Sequence, residues 1–302
     1  MMKWNKKRWK EFAFYMALLF LPLMQIAICY FGVNTNSILL AFQKYDVETG
    51  AYSFKDVGFS NFIRAFQTFQ GADLGYAFKN SFSAFFVSLV IGIPMAIIFS
   101  YYIYKKSPFS GFFKTVLFMP TVISSVITVL IFRYFADDVV HDLALNLFNV
   151  EVVGLIADTS TQFVTILIFS LFFSFGSNIL MYTGAMGGIN ESIIESAQLD
   201  GATAFVELIY IVVPMIWQTI ISYVVITIAA LFTNQLHLFT FLRTNVDCQQ
   251  WTIGYYLFLE TRGASGSDYN WLSAAGLLLT VVVVPTTLIV RYLMLKFGPK
   301  EA

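Results

Sequence analysis

Six stretches of this chain, at roughly residues 12–33, 80–104, 112–135, 162–184, 211–233 and 271–295, are long and apolar enough to cross a lipid bilayer. A helix needs about 20 such residues to traverse the hydrocarbon core. There the backbone has to satisfy its own hydrogen bonds, which continuous helices do. The rest of the chain agrees with a lipid solvent. Its residues are 58% hydrophobic and only 12% charged, and the mean hydropathy is +0.73, whereas a soluble domain carries roughly 25% charge. The expected fold class is an all-α membrane protein with six transmembrane helices, forming a single transmembrane domain over 1–302. Pro22, Pro94, Pro120, Pro214 and Pro285 fall in or at the ends of these spans, and kinks there are tolerable because neighbouring helices can satisfy the freed groups.

The formal net charge is zero, which gives no reason to expect a nucleic acid or an acidic substrate. The two cysteines, Cys29 and Cys248, form no CxxC pair, and His141 and His237 are isolated in sequence, so no metal or redox centre is expected. The N-terminal segment MMKWNKKRWKEF is basic. The run from Phe12 to Val33 that follows is too long for a signal peptide and lacks a small-x-small cleavage site, so it reads as a retained first span.

Orientation follows from the loop cations. With the N-terminus inside, the inner segments hold Lys3, Lys6, Lys7, Arg8, Lys10, Lys105, Lys106, Lys114, Lys296 and Lys300, and Arg291 lies at the inner end of the last span. Segment 136–161 contains Asp137, Asp138, Asp142, Glu151 and Asp158 with no Lys or Arg, which places it outside. Both termini are then cytoplasmic. The long outer segment 34–79 carries scattered aromatics and is expected to fold against the outer face rather than hang free. The loop 234–270 is outer as well.

One inner loop breaks the charge rule. Between spans four and five, 185–210, it carries Glu191, Glu195, Asp200 and Glu207 and no Lys or Arg. Read locally, residues 189–197 form a short amphipathic helix with Ile189, Ile193 and Ala197 on one side. Gly201 is a natural end for it, since glycine accepts the left-handed conformation. A second helix then runs into Pro214. Such a structured loop, rich in small residues, suits a docking surface, although an ordinary interfacial helix would serve the connection too.

The residue pattern goes further. Glu195-Ser196-Ala197, three residues, Gly201, nine residues, then Ile211-x-Val213-Pro214 resembles the EAA motif of permease subunits from binding-protein-dependent ABC sugar importers, in the maltose/oligosaccharide and glycerol-phosphate branch. Asp200, Gly201, Ala202 and Phe205 match the sugar-importer version. Ser196 for Ala and Val213 for Leu are mild departures. A Thr-x-Gly-Gly-Pro stretch common after the fifth span is absent here, where the chain reads TNQLHLFTFLRTN. The resemblance implies a type I ABC importer permease architecture. It also implies a coupling helix, formed by Glu195, Ser196, Ala197, Asp200, Gly201, Ala202 and Phe205, seated in a cleft of an ATPase subunit. It further implies a second, different permease subunit, two ATPase subunits and an extracellular sugar-binding protein. The chain has no GxxxxGK[ST] segment, so ATP and Mg would sit on the partner subunits, with no cofactor on this chain.

Polar side chains within spans usually face the bundle interior. Candidates are Thr121, Ser124 and Ser125 in span three, Ser174, Ser177, Asn178, Tyr182 and Thr183 in span four, and Thr233, Asn234 and Gln235 at the end of span five. Asn178 and Asn234 are the costliest to leave unpaired, at a few kcal/mol each. Amides and hydroxyls both donate and accept, which suits a neutral carbohydrate, and Phe173 and Phe232 are adjacent in sequence as stacking surfaces. Aligned on Pro120 and Glu195, positions Thr121, Ser125, Ser177 and Asn234 resemble the sugar contacts of the maltose permease. Thr121, Ser125, Ser177, Asn178, Thr233 and Asn234 are thus the substrate-binding candidates. Helix–helix hydrogen bonding, worth about 0.6–2 kcal/mol per contact, is the alternative role for each. Arg133 could pair with Asp137 or meet an anionic substrate.

Two other function classes compete with a transporter subunit. A membrane-embedded transferase would want clustered acids or His at the membrane surface, and the acids of 137–158 are loosely spread. An ion channel or ion-coupled carrier would bury an ionisable residue mid-span, and the six spans have none near their centres.

Overall fold

The computed structural model describes residues 6–54, 59–244 and 246–299, with side chains from Trp9 onward. Lys3 and Lys300 lie outside the described residues. The helices that matter here are, in chain order, α1 (Trp9–Ala41), α2 (Ser60–Phe69), α3 (Ala72–Tyr104), α4 (Ser110–Val122), α5 (Ser125–Phe148), α6 (Thr159–Gly187), α7 (Glu191–Leu199), α8 (Ala204–Met215), α9 (Trp217–Ala229), α10 (Leu238–Leu242), α11 (Ile253–Gly263) and α12 (Asp268–Phe297). A hairpin of β1 (Lys44–Asp46) and β2 (Ala51–Ser53) stands between α1 and α2, with Tyr45 opposite Tyr52.

Four spans are single helices of 29 to 33 residues, namely α1, α3, α6 and α12. The third and fifth are not. The α4–α5 pair is bent by 109° and the α8–α9 pair by 73°, where the sequence suggested continuous spans at 112–135 and 211–233. Proline explains the weak points. Pro120 sits in the last turns of α4 and offers no N–H to the carbonyl four residues earlier, and the chain turns extended at Ile123 (φ −81°, ψ 149°). Past Pro214 the helix stops at Ile216 (φ −96°, ψ 12°). Pro94 and Pro214 each follow a wide π turn, Ser88–Gly92 and Leu208–Val212. In both, the carbonyl that the proline ring would strike, at Val90 or Tyr210, lies inside the widened turn, so the clash is relieved where it would arise. Pro22 and Pro285 sit within α1 and α12.

Two compact units divide the chain: Met1–Phe69 with Glu260–Thr280, and Gln70–Leu259 with Val281–Ala302. In the first, the most apolar window of α1 has no buried residue, so its Phe and Leu side chains point outward. The polar stretch after α1 folds closely on the chain's own partners. The Asn61 amide donates to the carbonyls of Ala41 (2.9 Å) and Gln43 (2.8 Å), and Asn270 donates to Leu40 (2.9 Å). Arg64 pairs with Asp268 at 3.5 Å and lies 5.4 Å over the Trp271 ring.

In the second unit, an apolar cluster joins α3, α6, α8 and α9 through Ile93, Ile97, Tyr182, Met186, Val212, Ile220 and Val224. A further cluster forms around Val129, Ile156, Ile166, Phe169, Leu238, Phe241 and Tyr255. Gly176 sets the approach of α4 to α6. A Cβ there would fall 2.5 Å from the Leu117 carbonyl oxygen and 3.0 Å from the Phe118 Cα, so only glycine lets the backbones meet this closely. Ser100 closes the α3–α6 seam, its Oγ donating to the Ile179 carbonyl at 3.2 Å.

Candidate functional site

The acidic loop folds as a helix, a tight turn and a second helix. Asn190 caps α7, its side-chain oxygen accepting from the Ser192 N–H at 3.2 Å. At the far end Gly201 has φ +81°. The Ala202 N–H reaches back to the Ala197 carbonyl (2.9 Å) and the Gly201 N–H to Gln198 (3.1 Å). These are the two bonds of a Schellman stop, which needs a left-handed residue at this position. Thr203 then starts α8 by accepting from the Val206 N–H at 3.4 Å.

The inward face of α7 differs from the sequence expectation. The helix begins at Glu191 rather than 189, and it is Ile194 that is buried, while Ile193 is 40% exposed. One residue is 100° of helical rotation, so the later start moves Ile194 into the core beside Ile189, which precedes the helix. The outward side presents Glu195, Ser196 and Asp200, with Ala197 and Ala202 half-buried. Two large apolar side chains flank the turn with almost no cover: Leu199 is 89% exposed and Phe205 73%.

One acid of the loop turns inward. Glu207 is 2% exposed. Both of its carboxylate oxygens accept from Lys105 Nζ, at 2.9 and 3.1 Å, and Gln198 Nε2 donates to Oε2 at 3.3 Å. The sequence reading counted Glu207 only among the loop's charges. The inner pair Lys105-Lys106 at the end of the second span, set against an acidic inner loop, was the available signal.

A cavity of about 190 Å³, with an apolar wall and several polar side chains, opens between α3, α6 and the α9 segment. Its polar lining comes from Ser81, Ser88, Ser174, Asn178, Tyr223, Thr227 and Asn234. Asn178 and Asn234, expected from the sequence, meet here. Ser81 and Ser88 of α3, with Tyr223 and Thr227 of α9, were missed. Their spacings of seven and four residues place each pair on one helical face, a pattern the sequence did display. Ser174, also noted among the polar side chains of span four, lines it too, whereas Thr121, Ser125, Ser177 and Thr233 are not among its lining residues. Thr121 packs its methyl toward Gly176 and donates to the Phe118 carbonyl at 2.7 Å. Ser125 starts α5 after the break, Ser177 donates to the Ser174 carbonyl at 3.1 Å, and Thr233 is exposed in the turn after α9. Phe232 is buried against Phe78 and Phe82, and Phe173 stacks on Phe169. Arg133 takes the first of its two expected roles, lying 3.7 Å from Asp137 and donating to the Phe241 carbonyl at 2.9 Å. The His237 ring stands edge-on to Phe173 at 5.0 Å, and its burial pushes the imidazole below its ordinary pKa. Among the described residues no three His, Cys, Asp or Glu side chains gather as metal ligands would.

Comparison with known proteins adds to this geometry. Residues 88–301 match the family described as binding-protein-dependent transport system inner membrane component. The chain is 30% identical over 221 residues to the probable ABC transporter permease protein MG188 of Mycoplasma genitalium, covering 70% of this chain and 64% of that protein. It is 27% identical over 210 residues to the galactooligosaccharides transport system permease protein GanP of Bacillus subtilis, covering 66% of this chain and 49% of GanP. The chain thus spans about half to two thirds of the length of these relatives. In fold it resembles a chain of the solved bacterial ABC transporter that imports the acidic polysaccharide alginate, with a TM-score of 0.77 at 21% identity over 97% of this chain and 98% of that one.

Proposed function

The chain belongs to the family of binding-protein-dependent transport system inner membrane components, and from that premise we propose that it is one permease half of an ATP-driven importer for a neutral oligosaccharide. The observation that carries this reading is the acidic loop. Its turn is fixed by Gly201, its inner side is anchored by Ile194 and Glu207, and its outer side offers Leu199 and Phe205 around Glu195. Exposed apolar side chains rimmed by polar ones mark a surface built for another protein. On this reading Glu195, Ser196, Ala197, Asp200, Gly201, Ala202 and Phe205 seat in an ATPase subunit, which binds the ATP and Mg. The distribution of loop cations supports a cytoplasmic position for the loop and both termini.

The cavity supports the cargo. It is smaller than the roughly 300 Å³ at which ligand pockets begin, as befits one wall of a site completed by a second permease chain. Its lining contains no charged side chain. An anionic sugar would lose hydration there with no cation to replace it, whereas a neutral one could exchange hydrogen bonds with Asn178, Asn234 and the serines. Relatives named for galactooligosaccharide and arabinooligosaccharide transport favour the same class. An extracellular binding protein would deliver the sugar, as the family's description suggests.

Purification of the chain from its native membrane tests this reading. An ATPase subunit should co-elute, and proteoliposomes of the complex with its binding protein should take up neutral oligosaccharides only when ATP is inside. Uptake driven by an ion gradient, or turnover of a lipid by the isolated chain, would favour the carrier or transferase readings instead.

A further inference from the structure

We infer that Lys105, Glu207 and Gln198 form a polar strut that makes the α7 loop and helix α3 move as one body, so that force on the loop reaches the wall of the cavity. The inference rests on the importer reading above and names positioning residues within it. Lys105 follows directly on α3, whose Ser81, Ser88 and Gly92 line the cavity. Glu207 stands in the first turn of α8, and Gln198 in the last turn of α7. The three side chains therefore tie the docking helix, the re-entry of the chain into its apolar core and the end of a cavity-lining helix at a single point. Lys105 Nζ holds both oxygens of Glu207, at 2.9 and 3.1 Å, and Gln198 holds one of them at 3.3 Å.

Burial is what makes this joint stiff. The Glu207 side chain is 2% exposed and that of Lys105 26%. Separating the pair without hydrating both charges would strand an ion in an apolar setting, which is far costlier than loosening a surface pair. Ile194 and Leu208 pack in the apolar cluster that also contains Tyr101 of α3, while Lys105 and Gln198 border an open pocket, so the stiffness of the joint rests on the buried Glu207 carboxylate, which is shielded from solvent. A displacement of α7 then draws α3 with it, rather than being absorbed as slack between them.

The test reads α3 movement separately from ATPase attachment. In the complete complex, with Cys29 and Cys248 replaced by Ala, the thiol introduced by Ser88→Cys is labelled with a membrane-impermeant maleimide, with and without ATP plus orthovanadate. The labelling rate should change when nucleotide is trapped. Glu207→Gln keeps the shape of the side chain and removes its charge. It should leave the ATPase bound and hydrolysing while shrinking the nucleotide-driven change roughly fivefold or more, the low end of usual coupling energies. The charge reversal Lys105→Glu with Glu207→Lys should restore most of that change. A full change in Glu207→Gln, or no recovery in the reversed pair, would overturn the strut, and a merely structural pair would lower assembly without separating hydrolysis from labelling. Absence of any attached ATPase in the parent would sink the importer reading itself, and the strut with it.

Discussion

Asn234 carries the sharpest residue-level expectation. It shares the cavity with Asn178, and its own Oδ1 accepts from the Leu236 N–H at 2.9 Å, which fixes the side chain before any ligand arrives. Its amide N–H₂ remains as a donor. Replacing it with leucine removes that donor and puts an alkyl group in its place, a loss of about 1.5 kcal/mol or tenfold in transport affinity. Asn234→Leu should therefore lower oligosaccharide uptake roughly tenfold while the ATPase subunit still co-purifies. Unchanged uptake would remove Asn234 from the substrate path. The sequence made Asn178 and Asn234 legible because an amide in lipid is costly enough to demand a reason. It displayed the spacing of Ser81 and Thr227 without singling them out, because a hydroxyl can satisfy itself on its own helix or, as Ser81 does by accepting from the Ile253 N–H at 3.0 Å, on a segment only the fold brings near. Thr227 does the former, donating to the Tyr223 carbonyl at 2.8 Å. Thr121, aligned through Pro120 with a sugar contact of a similar permease, lies away from this cavity, with its hydroxyl donating to the Phe118 carbonyl beside a tight helix crossing.

At the scale of elements, the spans were legible through their length, and their breaks only in part. Proline marked Pro120 and Pro214 as weak points but marked Pro22 and Pro285 equally, and those helices run on. The difference lies in tertiary packing, which a hydropathy pattern does not contain. The α7 register failed for a similar reason: the cap at Asn190 shifted the helix start by two residues and exchanged Ile193 for Ile194. The close α4–α6 crossing can be tested by adding a single methyl group. In Gly176→Ala the new methyl would meet the Leu117 carbonyl oxygen at 2.5 Å, and backbone cannot step aside cheaply. Overpacking of this kind costs about 1–3 kcal/mol. Gly184 lies on the same helix with nothing within 4 Å of its added Cβ, and alanine there should be neutral or stabilising by up to about 1 kcal/mol. Thermal unfolding of the detergent-solubilised variants should thus show a lowered midpoint for Gly176→Ala alone. Equal midpoints would mean the crossing is not a tight one.

For the whole molecule, the account depends on the loop 185–210 being held by a nucleotide-driven partner. Composition established lipid as the solvent, and the spacing from Glu195 to Pro214 pointed to the family whose description residues 88–301 match. On that reading the partner's own surface would be written in another chain, which is why this sequence could suggest a joint but not what would grip it. The exposed Leu199 and Phe205 offer direct access to that question. A photo-crosslinking amino acid placed at position 199 in native membranes, followed by mass spectrometry of the adduct, reads the contact without assuming its identity. A single major adduct to a polypeptide bearing a GxxxxGK[ST] segment is expected. Adducts to lipid alone, or to a protein without such a segment, would contradict the docking role of this loop.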